Sequence, residues 1–149
     1  MDWTGRIKAL HCIPQKRHAA LSLETCSVTI EEGLKGDYHC AEGDTDLILW
    51  SAEIREQLEA EHFSGICFGR FQEHISVEGM ELSALRAGDI LRAGEARLKV
   101  SERRKKCHPD ICEVENKKDC LMKRECVYVR IIAPGELTVG MKIEKEEVS

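Results

Sequence analysis

Short alternating or apolar segments, separated by glycine, proline and acidic residues, restrict the fold of this 149-residue chain more than any other feature. Strand patterns of this kind occur in GRIKAL, CSVTIEEG, DLILW, HISV, DILR, ARLKV and VYVRII. One stretch at 51–63 has helical spacing instead, because Ser51 can cap it and Ile54 and Leu58 share one face. A parallel α/β sheet needs repeated helical crossovers, so we predict a mostly β barrel with a few short helices.

The stretch GLKGDYH at 33–39 combines two glycines with an aspartate, which is typical of a tight connection with positive φ angles. Asp37 and His39 could form a catalytic pair. An aspartate in a Gly-Asp turn also commonly caps its own backbone. Residues 93–95 similarly predict a short hairpin connection between DILR and ARLKV.

Length and composition indicate one globular unit. A chain of 149 residues can bury one core, and we predict a single domain over 1–149, with its core at about 5–143 and a charged tail at 144–149. Hydrophobic residues at 42% and charged residues at 33% are typical of a globular rather than a disordered chain. The net charge of -5 argues against general nucleic-acid binding.

Neither a secretory signal nor a membrane span is predicted. The first residues, MDWTGRIKAL, lack an apolar run of signal-peptide length, and no later stretch approaches membrane-spanning length. We therefore expect a cytoplasmic protein without membrane contact. Eight cysteines in that compartment are expected to remain thiols, which favours metal binding, sulfur chemistry or simple burial over disulfides.

Charge and cysteines concentrate in residues 102–130. This segment contains nine Lys or Arg against six Asp or Glu, a local charge of +3 in an acidic chain. Clustered cations attract phosphate groups and lower the pKa of nearby thiols, which would make an anion site. The alternative is a solvated loop whose lysines only keep it soluble.

Four thiols in this segment have the spacing C-x4-C-x7-C-x5-C, from Cys107 through Cys112 and Cys120 to Cys126, with His108 beside the first. The spacing lacks the close C-x2-C pairs typical of a structural zinc site. Cys126 lies in a strand pattern and fits a buried core cysteine.

Cys107 has a distinct setting. Four basic residues at 103–106 precede it and His108 follows it, so opposite charge favours the thiolate over the thiol. A thiolate is both a nucleophile and a soft metal ligand. Pro109 prevents a helix from running through the site, which places Cys107 on a loop.

The order of these motifs resembles the MOSC domain, found at the C-terminus of eukaryotic molybdenum-cofactor sulfurases and as small stand-alone prokaryotic proteins. The resemblance covers about 5–143, and its tail, from CHPDIC to MKIE, is similar to the small bacterial branch. The matched positions are Gly33, Leu34, Gly36, Asp37, His39, Gly69, Phe71, Glu73, Ile75, Gly79, Leu82, Leu85, Gly88, Asp89, Gly94 and Cys107. His74 stands where the family usually has asparagine, and the DLILW strand lacks the usual Arg-Gln.

This resemblance implies a MOSC-type β-barrel that binds a molybdenum or tungsten pterin cofactor, or carries sulfur, through Cys107 as metal ligand and reactive residue. The implied cofactor contacts are Asp37, His39, Arg103, Arg104, Lys106 and His108. The basic residues would bind the pterin phosphate, and His108 would tune the thiolate or move a proton. The implied partners are a sulfur donor, such as a cysteine desulfurase, or an accepting molybdoenzyme.

Two other functions remain open. One is a zinc-binding or scaffold module that acts through a protein partner, with Cys107, Cys112, Cys120 and His108 around the metal. The other is a small oxidoreductase that reduces N-hydroxylated compounds on the cofactor and needs an electron-donor partner. Whether the chain is an enzyme, of sulfurtransferase-like or cofactor-dependent type, is therefore left open by the residues.

Overall fold

The computed structural model describes residues 3–15, 21–41, 45–60, 73–102 and 126–146. Cys107, Cys112, Cys120, His108 and the basic residues at 103–106 lie outside them. The helices are α1 (Tyr38–Ala41), α2 (Ala52–Ala60) and a 3-10 turn (Leu82–Ala84). The strands are β1 (Thr4–Cys12), β2 (Leu21–Leu23), β3 (Thr25–Thr29), β4 (Gly33–Leu34), β5 (Leu47–Ser51), β6 (Ile75–Glu78), β7 (Ile90–Ala93), β8 (Ala96–Val100), β9 (Cys126–Ala133), β10 (Gly135–Thr138) and β11 (Lys142–Lys145).

Seven strands close into a barrel in the order β11-β7-β8-β9-β5-β6-β1, because β11 also pairs with β1. The β5–β6 pair is parallel, and the other pairs among the described residues are antiparallel. β2 extends the sheet beside β1, and β10, β3 and β4 form a second small sheet. The predicted mostly β barrel with few short helices is confirmed.

The barrel interior is filled by alternate residues of its strands. In β9, Val127, Val129 and Ile131 belong to the core, whereas Arg130 between them is exposed. In β5, Leu47 and Leu49 point into the core with no exposed surface. This alternation is the period-2 pattern that predicted the strands.

Helix α2 begins where the sequence predicted it. Ser51 Oγ accepts a hydrogen bond from the Ile54 amide at 3.3 Å, which confirms the predicted cap. Glu53 Oε2 accepts from the Ser51 hydroxyl at 3.2 Å, and its Oε1 accepts from the Gly79 amide at 2.8 Å. The start of α2 is thereby fastened to the end of β6.

Part of the predicted charged tail lies in a strand. Glu144 and Lys145 belong to β11 rather than to a frayed end. Glu144 pairs with Arg92 at 3.2 Å, and Glu146 accepts hydrogen bonds from Arg97 at 2.9 and 2.6 Å. The arginines that pair with these carboxylates lie about 50 residues away in sequence, so local composition does not reveal the pairs.

We predict that Gly135→Ala lowers the free energy of unfolding by about 2–3 kcal/mol, because the fold has no room for a methyl group there. A Cβ at Gly135 would lie 2.6 Å from the Ala96 amide nitrogen and 2.9 Å from its Cβ. Gly88→Ala is the control, since its Cβ would meet nothing within 4 Å and only the φ of +95° resists the change. Urea unfolding measures both variants, and equal losses would contradict the close approach of β10 and β8.

Candidate functional site

A cluster of polar side chains lies on the outer surface of the sheet formed by β1, β6 and β5, where α2 covers it. We call it the outer cluster. Its members are His11, Asp37, Arg55, Glu73 and His74, with Trp50 beneath them. Trp50, Glu73, His74 and Asp37 are all less than 5% exposed. Buried charges on this scale require internal partners, and the contacts below supply them.

Glu73 is held in place by a two-point ion pair with Arg55. Arg55 donates from Nε to Glu73 Oε2 at 2.8 Å and from Nη2 to Oε1 at 2.9 Å. The Arg55 guanidinium also lies 4.8 Å above the centre of the Trp50 ring. The pair connects α2 to the residue before β6 and fixes the orientation of both charged groups.

Asp37 and His74 form a second buried pair. Asp37 Oδ1 accepts a hydrogen bond from the Ile13 amide at 3.0 Å, and its Oδ2 lies 3.4 Å from His74 Nε2. His74 Nδ1 accepts from the Ile48 amide at 3.0 Å, which leaves Nε2 as the ring nitrogen that faces Asp37. The pair ties the end of β1, the turn before α1, and β5 together. The sequence also allowed Asp37 to cap its own turn, but in the structure its side chain contacts the backbone at Ile13 and the ring of His74.

The turn that carries Asp37 has the predicted geometry. Gly33 and Gly36 adopt φ angles of +66° and +93°, values that glycine reaches without strain. A Cβ at Gly33 would lie 2.8 Å from the Thr45 carbonyl oxygen and 2.9 Å from Cys40 Sγ. The glycines thus let the chain pass close to its neighbours and deliver Asp37 to His74.

His11 borders the Glu73 carboxylate. Its Nδ1 lies 3.8 Å from Glu73 Oε1, and that nitrogen is buried without a hydrogen-bond partner. Burial lowers the pKa of His11 below its ordinary value of 6.5; Glu73 acts in the opposite direction, while Arg55 and His74 add to the lowering. The imidazole is consequently neutral at pH 7.

The cysteines that the structure describes are buried thiols. Burial raises the pKa of Cys26 to about 11, with contributions from Cys12 and Glu136. Burial, followed by the charge of Asp37, raises the pKa of Cys12. Cys40 and Cys126 are also buried, and the strand position predicted for Cys126 is confirmed. Cys12 and Cys26 are therefore unsuited to act as thiolates near neutral pH.

The last described residues before Cys107 follow β8, three strands away from His74 of the outer cluster. The Ser101 amide donates to the Tyr128 carbonyl at 2.8 Å, Tyr128 pairs with Ile48, and Ile48 bonds to His74. Three strand spacings thus separate Ser101 from His74, or roughly 15 Å. The chain returns at Cys126, which pairs with Trp50. Cys126 therefore adjoins β5, whereas Ser101 follows β8, which lies two strands away from β5.

Of the predicted site residues, the structure describes Asp37 and His39. Asp37 is buried in the outer cluster, and His39 falls in α1. Cys107, Arg103, Arg104, Lys106 and His108 lie outside the residues described, so their assigned roles stay predictions. Of the part of the chain that is described, no group of three His, Cys, Asp or Glu could hold a metal ion. The zinc alternative also relies on residues beyond that part.

Reasoning from the residues assigned no chemistry to His11, His74 or Glu73, although Glu73 lies at a matched MOSC position and His74 departs from the family pattern. Arg55 and Glu73 are 18 positions apart and share no periodic pattern. The parallel pairing of β5 with β6 is what brings them together. The one local signal was Glu73 and His74 directly before an apolar strand, where a charge is difficult to bury alone.

A sequence profile of the MOSC domain matches residues 38–144 of this chain. The chain belongs to the MOSC domain family. Protein YiiM of Escherichia coli strain K12 is 29% identical over 160 residues, covering 95% of this chain and 69% of YiiM. The MOSC resemblance of the motifs is thereby confirmed.

Solved structures share the MOSC fold of this chain. The crystal structure of YiiM from Escherichia coli matches with a TM-score of 0.62 and 25% identity, covering 97% of this chain and 71% of that one. YUAD protein from Bacillus subtilis matches with a TM-score of 0.69 and 15% identity, covering 98% and 97%. At that identity the second likeness shows the fold alone. In the described part of this chain, no helix is long and apolar enough to cross a membrane.

We predict that Asp37→Ala costs about 2–3 kcal/mol of unfolding free energy, because it leaves the Ile13 amide and His74 Nε2–H without this acceptor. His74→Asn is the matched variant and costs at most about 1 kcal/mol, since an amide can accept from Ile48 and donate to Asp37. Urea unfolding measures both. A larger loss of unfolding free energy in His74→Asn than in Asp37→Ala would contradict the contacts assigned to Asp37 and His74.

We predict that Arg55→Met costs about 3–5 kcal/mol, because it leaves the buried Glu73 carboxylate without its counter-charge. The double variant Arg55→Met with Glu73→Leu should recover most of that loss, since it removes both charges. Arg97→Met, which breaks the more exposed pair with Glu146, is the control and should change stability little. Additive single losses in the double-mutant cycle would refute the coupling.

Proposed function

We propose that this protein binds a molybdenum or tungsten pterin cofactor, or a precursor of it, and uses Cys107 as metal ligand or sulfur carrier in cofactor maturation or delivery. The observation that carries the proposal is membership of the MOSC domain family, which is associated with the molybdenum cofactor. The proposed setting is a single cytoplasmic domain that exchanges sulfur or cofactor with a cysteine desulfurase or a molybdoenzyme.

The donor chemistry of the chain agrees with this cofactor. A pterin cofactor offers a phosphate and a soft metal bound by dithiolene sulfur, which call for cations and for a thiolate. Cys12 and Cys26 have raised pKa values and do not supply that thiolate. Cys107 follows four basic residues, so its sequence setting favours the anion.

Each predicted residue has one task in this proposal. Arg103, Arg104 and Lys106 bind the phosphate, and Cys107 binds the metal or carries a persulfide sulfur. His108 adjusts the protonation of that thiolate. When bound, the cofactor supplies the redox and sulfur-accepting chemistry of the metal.

The turn before α1 completes the proposed pocket. Asp37 holds this turn against β1 through Ile13 and against β5 through His74. It thereby supports the start of α1, from which His39 is proposed to contact the cofactor. Rigid support of this kind keeps a binding site in its productive geometry.

We predict that protein purified anaerobically from a cofactor-producing host contains molybdenum or tungsten together with pterin, and that Cys107→Ala loses most of the metal. Elemental mass spectrometry and fluorescence of the oxidised pterin measure both. Cys112→Ala is the matched control, because it removes a thiol from the same basic segment and leaves the proposed ligand in place.

The alternatives give different results in the same experiment. Stoichiometric zinc that is lost equally from the Cys107 and Cys112 variants, with unfolding on chelation, would establish the zinc module instead. Equal pterin, metal and persulfide content in the parent and Cys107→Ala would refute the role of Cys107.

A further inference from the structure

A cavity lined by charged side chains lies at the other end of β1 from the outer cluster. It has a volume of about 430 Å³, and its walls include Arg6, Lys142, Glu53 and Glu78. We call it the charged groove. A cavity of this size is in the range of small-molecule sites. Of the described residues that line it, none is a predicted cofactor contact, so it calls for a ligand of its own.

Strand register places three of these charges in one row across the sheet. Arg6 of β1 pairs with Glu78 of β6 on one side and with Lys142 of β11 on the other. Side chains of directly opposed residues project from the same face of a sheet. The neighbouring residues Ile7 and Val77 belong to the core, so the row faces outward.

The opposite charges in this row do not neutralise each other directly. Among the ion pairs of the described residues, none joins Arg6 to Glu78, although the two residues lie side by side. Arg6 Nη1 donates to the Gly140 carbonyl at 3.1 Å. Glu78 Oε2 lies 4.0 Å from Lys8 Nζ in a pair that is half exposed and therefore weak. Both Arg6 and Glu78 line the groove instead.

The other two charges are positioned by contacts that a ligand would not disturb. Glu53 Oε1 accepts a hydrogen bond from the Gly79 amide at 2.8 Å, which fixes the carboxylate at the groove. Lys142 Nζ lies 3.4 Å from Glu144, and Arg92 contacts the same carboxylate at 3.2 Å. Lys142 can therefore turn toward a ligand without leaving Glu144 unpaired.

Two glycines in the wall let the chain and a ligand come close together. A Cβ at Gly5 would lie 2.6 Å from the Glu78 carbonyl oxygen, so glycine is required for β1 to approach the end of β6. Gly79 has a φ of +80° and also lines the groove. Without side chains, these residues leave their backbone open to close contact with a small ligand.

Two cations and two carboxylates around one groove select a ligand that carries both charges. A simple anion would meet Glu53 and Glu78, and a simple cation would meet Arg6 and Lys142, so each would be disfavoured. Opposed residues such as Arg6 and Glu78 have Cα atoms about 5 Å apart. The two charges of the ligand must therefore also be close together, as they are on the single α-carbon of an amino acid.

We propose that the charged groove binds a free α-amino acid as its zwitterion. The carboxylate of the ligand contacts Arg6 and Lys142, and its ammonium group contacts Glu78 and Glu53. This binding site goes beyond the proposed cofactor function and requires no chemical step.

Titration of 15N-labelled protein with each free L-amino acid in turn tests the site. At least one of them should shift the amide signals of Gly5, Arg6 and Gly79 saturably, with a Kd of about 1 mM or lower. The amide signal of Arg130, which lies on β9 away from the groove, should stay in place. Absence of a saturable shift with every amino acid would overturn the proposal.

Blocked forms of the amino acid that binds test the ligand class. The N-acetyl form keeps only the carboxylate and the α-amide form keeps only the ammonium group, so each should bind about ten-fold more weakly or worse. Equal binding of either blocked form would overturn the zwitterion assignment. Inorganic phosphate that bound as tightly as the amino acid would overturn it too, because the groove would then be an anion site.

Arg6→Gln and Glu78→Gln test the two ends of the ligand separately. Each should weaken binding about ten-fold, because each removes one charged contact. Lys8→Gln is the matched control, since it removes a charge next to Glu78 without touching the groove, and it should bind like the parent. None of the three side chains is buried, so urea unfolding should show little change in stability.

Equal weakening in all three variants would show a general charge effect and overturn the assignment, as would parental affinity in Arg6→Gln or Glu78→Gln. These measurements involve neither the pterin cofactor nor Cys107. Their outcome is therefore independent of the metal and pterin analysis that tests the proposed function.

Discussion

The parallel pairing of β5 with β6 is the constraint on which the rest of the structure depends. Parallel neighbours cannot be joined by a tight turn, so the chain must leave the sheet and cross back over one of its surfaces. Helix α2 begins this crossing directly after Ser51. Helix α2 packs against β5 and β6, and Trp50 and Ser76 on these strands are buried, so polar side chains there must find partners within the protein.

The partners of these polar side chains lie on other strands, helices or turns rather than on the same element. Glu73 receives its counter-charge from α2, and Asp37 reaches Ile13 on one side and His74 on the other. Removing water from such groups costs more than an isolated contact returns, so complete pairing is what makes the arrangement tolerable. The resulting cluster includes Trp50, which pairs with Cys126 at the start of β9.

His74 shows how a departure from the family pattern can preserve a geometry. The family usually has asparagine at this position. In this chain, Nδ1 of the imidazole accepts from the Ile48 amide, as an amide oxygen would, and Nε2–H points to Asp37, as an amide N–H₂ would. Histidine in place of asparagine therefore keeps one acceptor and one donor at this position and adds a titratable ring. His11, which faces the neighbouring Glu73, adds a second one.

The sequence by itself determined the fold class, most strand positions, the cap of α2 at Ser51 and the glycine turn before α1, because these depend on side-chain alternation and on backbone angles that few residues can adopt. It also identified the MOSC family from the order of its motifs. Only the tertiary structure decided that Asp37 bonds to Ile13 and lies 3.4 Å from His74, that Arg55 pairs with Glu73, and that His11 lies against that carboxylate. Such contacts depend on which strands become neighbours, and strand order is set by the closure of the whole barrel rather than by any local pattern.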